Sequence, residues 1–108
     1  MAGIFYFGEK LGVGLGTPRL SILVNELEQE LKSYPDVLDK VMDFYNCDSS
    51  VDFSILSVTD YNICYNALVN IVNTIKLKGH INKQWIVDLW DNEMKEKMQA
   101  SPLYQISR

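Results

Sequence analysis

The first sixteen residues alternate between residue types that favour strands and residue types that favour turns. Residues 4–7 form an aromatic run, and Leu11, Val13 and Leu15 alternate with glycines at the two-residue period of a strand. Residues 8–10, between them, contain a glycine and two charged side chains, which suits a turn. The pattern predicts an N-terminal β-hairpin whose second strand carries one face of bare glycines.

Two amphipathic helices are predicted next. After Thr17, apolar residues recur every three or four positions as far as Leu31, and we expect the Thr17 hydroxyl to cap this helix. Pro35 opens a second helical pattern that continues to Tyr45. Because a residue that precedes proline disfavours the helical conformation, the first helix should end before the second begins.

The middle of the chain contains the strongest helix signal. Residues 46–50 are rich in loop-forming side chains, and residues 51–55 alternate like a short strand. Ser57 and Asp60 have the spacing of a capping box, and Gly79 is a typical helix stop. The helix between them would be about 20 residues and about 30 Å long, enough to be the central element of the fold.

A last helix is predicted from Asn82, whose side chain can cap it, to the Ser-Pro pair at 101–102. The tail at 103–107 could add an edge strand beside the hairpin. The expected fold is a mostly α (α+β) protein with about four helices packed around a central helix near residues 58–78. At 108 residues, it should form a single domain, 1–108.

The glycine-rich stretch does not match a phosphate-binding loop. A dinucleotide fingerprint that starts at Gly12 and Gly14 needs a third glycine where Thr17 stands, and the chain has no Gly-Lys-Ser/Thr triplet. We interpret these glycines as structural.

Composition places the chain among soluble globular proteins, with 47% hydrophobic and 22% charged residues. No apolar stretch approaches the roughly 20 residues that cross a bilayer, and the N-terminus lacks the features of a secretory signal. We therefore expect a cytoplasmic protein without a membrane partner.

Negative charge is concentrated in the middle third of the chain. Nine acidic residues and two lysines lie between Glu26 and Asp60, whereas the rest of the chain holds five acidic and eight basic residues. Such a field attracts basic partners and repels nucleic acid and anionic lipid. The sequence therefore favours a basic protein partner and disfavours nucleic acid.

Catalytic chemistry is poorly represented. Cys47 and Cys64 lie in no CxxC motif, and His80 is the single histidine, at a helix end. We expect no metal, no cofactor and no enzymatic activity, although a disulfide between the two cysteines stays open. A pocket that joined His80 to two carboxylates would favour a small enzyme instead.

Two polar patterns are candidates for recognition. Asp36, Asp39 and Asp43 lie at i, i+3 and i+7 and share one helix face, where like charge and exposure suit a basic partner. The predicted central helix also carries an uncharged amide stripe at Asn62, Asn66, Asn70 and Asn73. The stripe either bonds to neighbouring loops or forms a hydrogen-bonding interface with a tyrosine at its margin.

The start of the central helix carries a family resemblance. Residues 56–68 read LSVTDYNICYNAL. In a small acidic chain, this Leu-Ser-x-x-Asp-Tyr-Asn pattern resembles bacterial immunity proteins that neutralise polymorphic toxins, including those of contact-dependent growth inhibition. Many such toxins are nucleases with basic clefts, so the resemblance implies a partner that acidic side chains would recognise.

The leading hypothesis is a cytoplasmic immunity protein that binds a cognate, basic nuclease-type toxin domain and occludes its active site or substrate channel. The residues predicted to bind the partner are Glu26, Glu30, Asp36, Asp39, Asp43, Asp48, Asp52, Asn62 and Asn66. The alternative is an oligomeric adaptor or phage accessory protein that self-associates through its helix faces.

Overall fold

The computed structural model describes residues 2–8, 11–48, 50–79 and 81–104. The predicted hairpin is confirmed: β1 (Ala2–Gly8) and β2 (Leu11–Gly16) pair antiparallel, with Phe5 opposite Val13. The alternating glycines lie in β2, and a Cβ at Gly12 would come within 3.2 Å of the backbone of β1. This close approach gives at least one of these glycines a packing role.

A third strand completes the sheet at the edge beside β1. β3 (Val51–Asp52) pairs parallel with β1, which gives the order β2-β1-β3. The strand prediction for 51–55 is therefore wrong in extent, because Phe53–Ile55 forms a 3-10 turn. The cause is local, since the Asp52 carboxylate accepts a 2.8 Å hydrogen bond from the Ser54 N–H and turns the chain.

Three long helices follow the predicted pattern closely: α1 (Thr17–Glu30), α2 (Pro35–Asp48) and α3 (Val58–Lys78). A 3-10 turn at Leu31–Ser33 separates α1 from α2. Two details differ from expectation: Gly16, not Thr17, occupies the cap position of α1, and α2 continues through the predicted loop to its end at Asp48.

The ends of α3 form as predicted. Ser57 Oγ accepts a 3.1 Å hydrogen bond from the Asp60 N–H, and Gly79 takes the left-handed conformation with φ 63°. One buried face of α3 packs against α1 and α4, and its members are Tyr61, Cys64, Ala67, Leu68, Ile71, Val72 and Ile75. Cys64 is a free buried thiol, and the side chain of Cys47 lies outside the described part of the molecule.

The last helical segment is less regular than predicted. It consists of α4 (Gln84–Leu89), a π turn at Trp90–Met94 and α5 (Lys95–Ala100). The Asn82 cap is wrong, because a 3-10 turn at Ile81–Lys83 precedes α4 and Lys83 is its cap residue.

The edge strand predicted for residues 103–107 lies mostly outside the described part of the chain. Residues 103 and 104 belong to no strand, and residues 105–108 lie outside the described part of the chain. Beside β1 the sheet adds β3, and an edge strand formed by residues 105–107 stays a prediction.

The buried side chains form one apolar core, at which the sheet, α1 and α3 meet. Four aromatic rings fill the part beneath the sheet: Phe53 lies 5.7 Å from Phe5 and 6.3 Å from Tyr61 between ring centroids, and Phe7 stacks on Phe5. The fold is therefore α+β and mostly helical, as predicted. None of the described helices is long and apolar enough to cross a bilayer.

Candidate functional site

The acidic face of α2 is positioned by its apolar face. Val37 and Val41 are buried against the core, and the helical period leaves Asp36, Asp39 and Asp43 exposed on the other side. Among the described residues, these three carboxylates have no ion-pair partner. We call them the acidic stripe. The sequence prediction that they share an exposed face is consistent with this arrangement.

One lysine of α2 links the helix to the start of α3. Lys40 Nζ lies 2.9 Å from the carboxylate of Asp60, and the Lys40 side chain remains 55% exposed. The hydrogen bond and the charge of Asp60 raise the pKa of the Lys40 ammonium, and the nearby charge of Asp36 adds to this effect. The Asp60 carboxylate is therefore paired with a lysine of the same chain, whereas the carboxylates of the acidic stripe form no ion pair among the described residues.

The two acids that α1 contributes have different surroundings. The Glu26 carboxylate forms an ion pair and a hydrogen bond with Lys83, which follows α3. Its charge is thus balanced by a lysine of the same chain. Glu30, one turn further along, lines a shallow groove against α3 with Asn66 and Asn70. Of this pair, Glu30 is the better placed to meet a partner.

The remaining predicted acids are at the end of α2 and in the sheet. Asp48 is the last residue of α2, and its side chain lies outside the described part of the molecule. Asp52 is half-buried in β3, where its carboxylate accepts hydrogen bonds from the N–H and the hydroxyl of Ser54. It stabilises a turn, and a contact with a partner stays a prediction.

The amide stripe divides into one internal member and an exposed group. The Asn62 side-chain amide donates to the carbonyl of Val58 at 2.7 Å and to that of Leu103 at 3.0 Å, so it ties α3 to the C-terminal turn. Asn66 and Asn70 are exposed. The interpretation that the stripe bonds to neighbouring loops therefore holds for Asn62, whereas an interface at the exposed amides stays a prediction.

Tyr34, which the sequence analysis did not single out, lies at the corner between α1 and α2. The residue is 48% exposed. With Ile63 of α3, it lines two shallow depressions, one that reaches Glu30 and one that reaches Asp36. The only sequence signal was an aromatic residue that falls outside both apolar helix stripes.

We call this region, residues 30–36 together with Ile63 and Asn66, the corner surface. It brings together three of the predicted partner-binding residues, which are Glu30, Asp36 and Asn66. Asp39 and Asp43 continue from it along α2. In contrast, the side chains of Glu26, Asp52 and Asn62 are engaged by other parts of the chain.

No metal-binding cluster is present among the described residues, where no group of three His, Cys, Asp or Glu side chains could hold an ion. His80, which the small-enzyme alternative needs, lies outside them. The buried thiol of Cys64 has its pKa raised to about 12 by desolvation, which keeps it protonated and unreactive near neutral pH.

Comparison with known proteins identifies the fold. No protein-family model matches the sequence, and no match appears among curated protein sequences. A solved structure does match: the CdiI immunity protein in complex with its cognate CdiA-CT toxin, from Burkholderia pseudomallei E479. The TM-score is 0.81 at 14% sequence identity, over 94% of this chain and 98% of that chain. This chain has the CdiI fold, which confirms, at the level of the fold, the resemblance drawn from its sequence.

Proposed function

We propose that this protein is an immunity protein that binds and neutralises the toxin domain of a contact-dependent growth inhibition system. The observation that carries the proposal is the fold, which is shared with a toxin-bound CdiI protein along nearly the whole of both chains. We place its action in the cytoplasm.

The acidic stripe and the corner surface supply the proposed contact. Carboxylates that lack an ion-pair partner among the described residues can pair with lysine and arginine side chains of the toxin, and their field would accelerate the encounter. A basic cleft of the nuclease type fits this chemistry, because such a cleft is built to hold phosphates. Inhibition would follow when the bound protein blocks the route of the substrate into that cleft.

Co-expression tests the function as a whole. The gene upstream of this chain is examined for a secreted protein with a C-terminal toxin domain, and that domain is produced in a sensitive strain, with and without the chain. We expect growth to stop without the chain and to continue with it, and we expect the two proteins to co-purify. Growth arrest that the chain does not relieve would overturn the proposal.

A matched pair of charge reversals tests the acidic stripe. We expect Asp39→Lys with Asp43→Lys to weaken toxin binding about 10- to 100-fold in calorimetry, because opposite-charge contacts become repulsive. Glu93→Lys with Glu96→Lys makes the same change in net charge on exposed acids elsewhere. The control acids lie near α5, which packs beside β2, whereas α2 packs beside β3. Because β2 and β3 are the two opposite edges of the sheet, the control pair is on a different side of the molecule. Equal effects of the two pairs would count against the stripe as the binding site.

Self-association is a second candidate, supported by two exposed aliphatic side chains. Leu77 and Ile81 are 88% and 87% exposed, on either side of the end of α3. Two apolar side chains exposed near one another in sequence could form part of an apolar patch, and such patches mark interfaces. Light scattering after size-exclusion chromatography would reveal an oligomer that Leu77→Glu with Ile81→Glu dissociates, whereas a wild-type monomer would remove this candidate.

A further inference from the structure

The backbone of Tyr34 is held from both sides. Its N–H donates a 2.9 Å hydrogen bond to the carbonyl of Leu31, and its own carbonyl accepts a 3.0 Å bond from the N–H of Leu38. Pro35 follows and fixes the next φ angle. The aromatic ring is therefore presented from a rigid corner, so a partner that binds it would lose little backbone entropy.

Tyr34 is also more exposed than the other aromatic residues whose side chains the structure describes. Among the large apolar side chains with substantial exposure in the described ranges, the aromatic members are Tyr34 at 48% and Tyr6 at 39%. Tyr6 lies in β1, whereas Tyr34 rises between two depressions that share Ile63 as a wall. Its surroundings thus offer space for a partner on either side of the ring.

Both depressions carry carboxylates. Glu30 lines the first, together with the amides of Asn66 and Asn70. Asp36 and Asp60 line the second, and Asp60 already shares its charge with Lys40. Beside the ring, the carboxylates without an ion-pair partner among the described residues are therefore those of Glu30 and Asp36.

We propose that Tyr34 is the central anchor of the partner-binding surface, and that the partner inserts lysine or arginine side chains into the depressions beside its ring. This inference rests on the proposed function and names the contact through which it acts. A cation placed over an aromatic face is attracted by the ring quadrupole, and the adjacent carboxylates strengthen that attraction. Interface energy is commonly concentrated in a few side chains, and tyrosine is among the residue types most often found there.

Calorimetry with the cognate toxin domain tests the anchor. We expect Tyr34→Ala to weaken binding by about 30-fold or more, as truncation of an interface anchor does. Tyr34→Phe keeps the ring face and should stay within about threefold of wild type. Tyr6→Ala is the matched control, since it removes the other exposed tyrosine, and it should leave the affinity unchanged. Thermal melting of each variant establishes that it is folded.

A second set of variants tests the proposed contact with a lysine or arginine of the partner. Glu30→Gln with Asp36→Asn should reduce the dependence of affinity on salt, and its effect should not add to that of Tyr34→Ala, because both disturb the same contact. Independent, additive effects would overturn the arrangement, as would a Tyr34→Phe variant as weak as Tyr34→Ala. If wild type binds the toxin and Tyr34→Ala binds equally well, the anchor is wrong and the immunity function stands. If wild type itself does not bind, the proposed function fails.

Discussion

Two regions of the molecule use aromatic residues in opposite ways. Beneath the sheet, Phe53 and Tyr61 are fully buried with their rings edge-on, and the Tyr61 hydroxyl donates a 2.8 Å hydrogen bond to the carbonyl of Met98. At the corner surface, Tyr34 is half exposed and lies between carboxylates. The first region satisfies its polar atoms internally and stabilises the fold, whereas the second leaves them available to a partner.

The acidic residues divide in the same way. Glu26 and Asp60 have lysine partners within the chain, whereas Asp39 and Asp43 have none among the described residues. Formal charge in the sequence is therefore a poor guide to the charge that a partner meets. If the division is functional, changes in the core should alter stability, and changes at the corner surface should alter binding.

The largest expected effect is in the core. Phe53→Ala removes a ring that contacts Phe5, Phe7 and Tyr61, and the cavity should lower the free energy of unfolding by about 3–5 kcal/mol. Urea denaturation measures this loss. The toxin affinity of the folded fraction should not change, and a loss of affinity without a loss of stability would erase the distinction between the two regions.

High pH should weaken the same core. Burial raises the pKa of the Cys64 thiol from 9.0 to about 12 and that of the Tyr61 hydroxyl from 10.0 to about 12. The folded state thus keeps protons that the unfolded state releases, so stability should fall as the pH rises from about 9 towards 12. Denaturation curves across this range measure the fall, and Cys64→Ala should make its onset less steep. A stability that stays flat up to pH 12 would contradict these pKa directions.

The smallest expected effect concerns an acid that is paired within the chain. Lys83→Met removes the partner of Glu26 at a partly exposed site, and the stability loss should be under about 1 kcal/mol. The freed Glu26 carboxylate should slightly tighten binding to the proposed basic partner. Stability by urea denaturation and affinity by calorimetry check both parts, and weaker binding would mean that Lys83 itself contacts the toxin.

Features encoded within one helix could be predicted from the sequence. The capping box at Ser57, the stop at Gly79 and the stripe of Asp36, Asp39 and Asp43 each depend on residues a few positions apart. Local physics fixes them, because the helical period and the unpaired backbone groups at helix ends act over short distances.

Features that depend on contacts between distant parts of the chain could not be predicted from the sequence. The parallel pairing of β3 with β1 involves only two residues of β3, too few for an alternating pattern. The pairing of Glu26 with Lys83 and the position of Tyr34 beside Ile63 exist only after α1, α2 and α3 have packed. The same holds for the hydrogen bond from Asn62 to the Leu103 carbonyl, because these residues are 41 positions apart in the sequence.

The structure of the complex with the cognate toxin domain tests the central claim most directly. We expect the ring of Tyr34 to be buried in the interface, with basic toxin side chains beside Glu30 and Asp36. We also expect Asp39 and Asp43 to face the toxin. An interface that left Tyr34 and the acidic stripe in solvent, and covered α4 and α5 instead, would contradict the account.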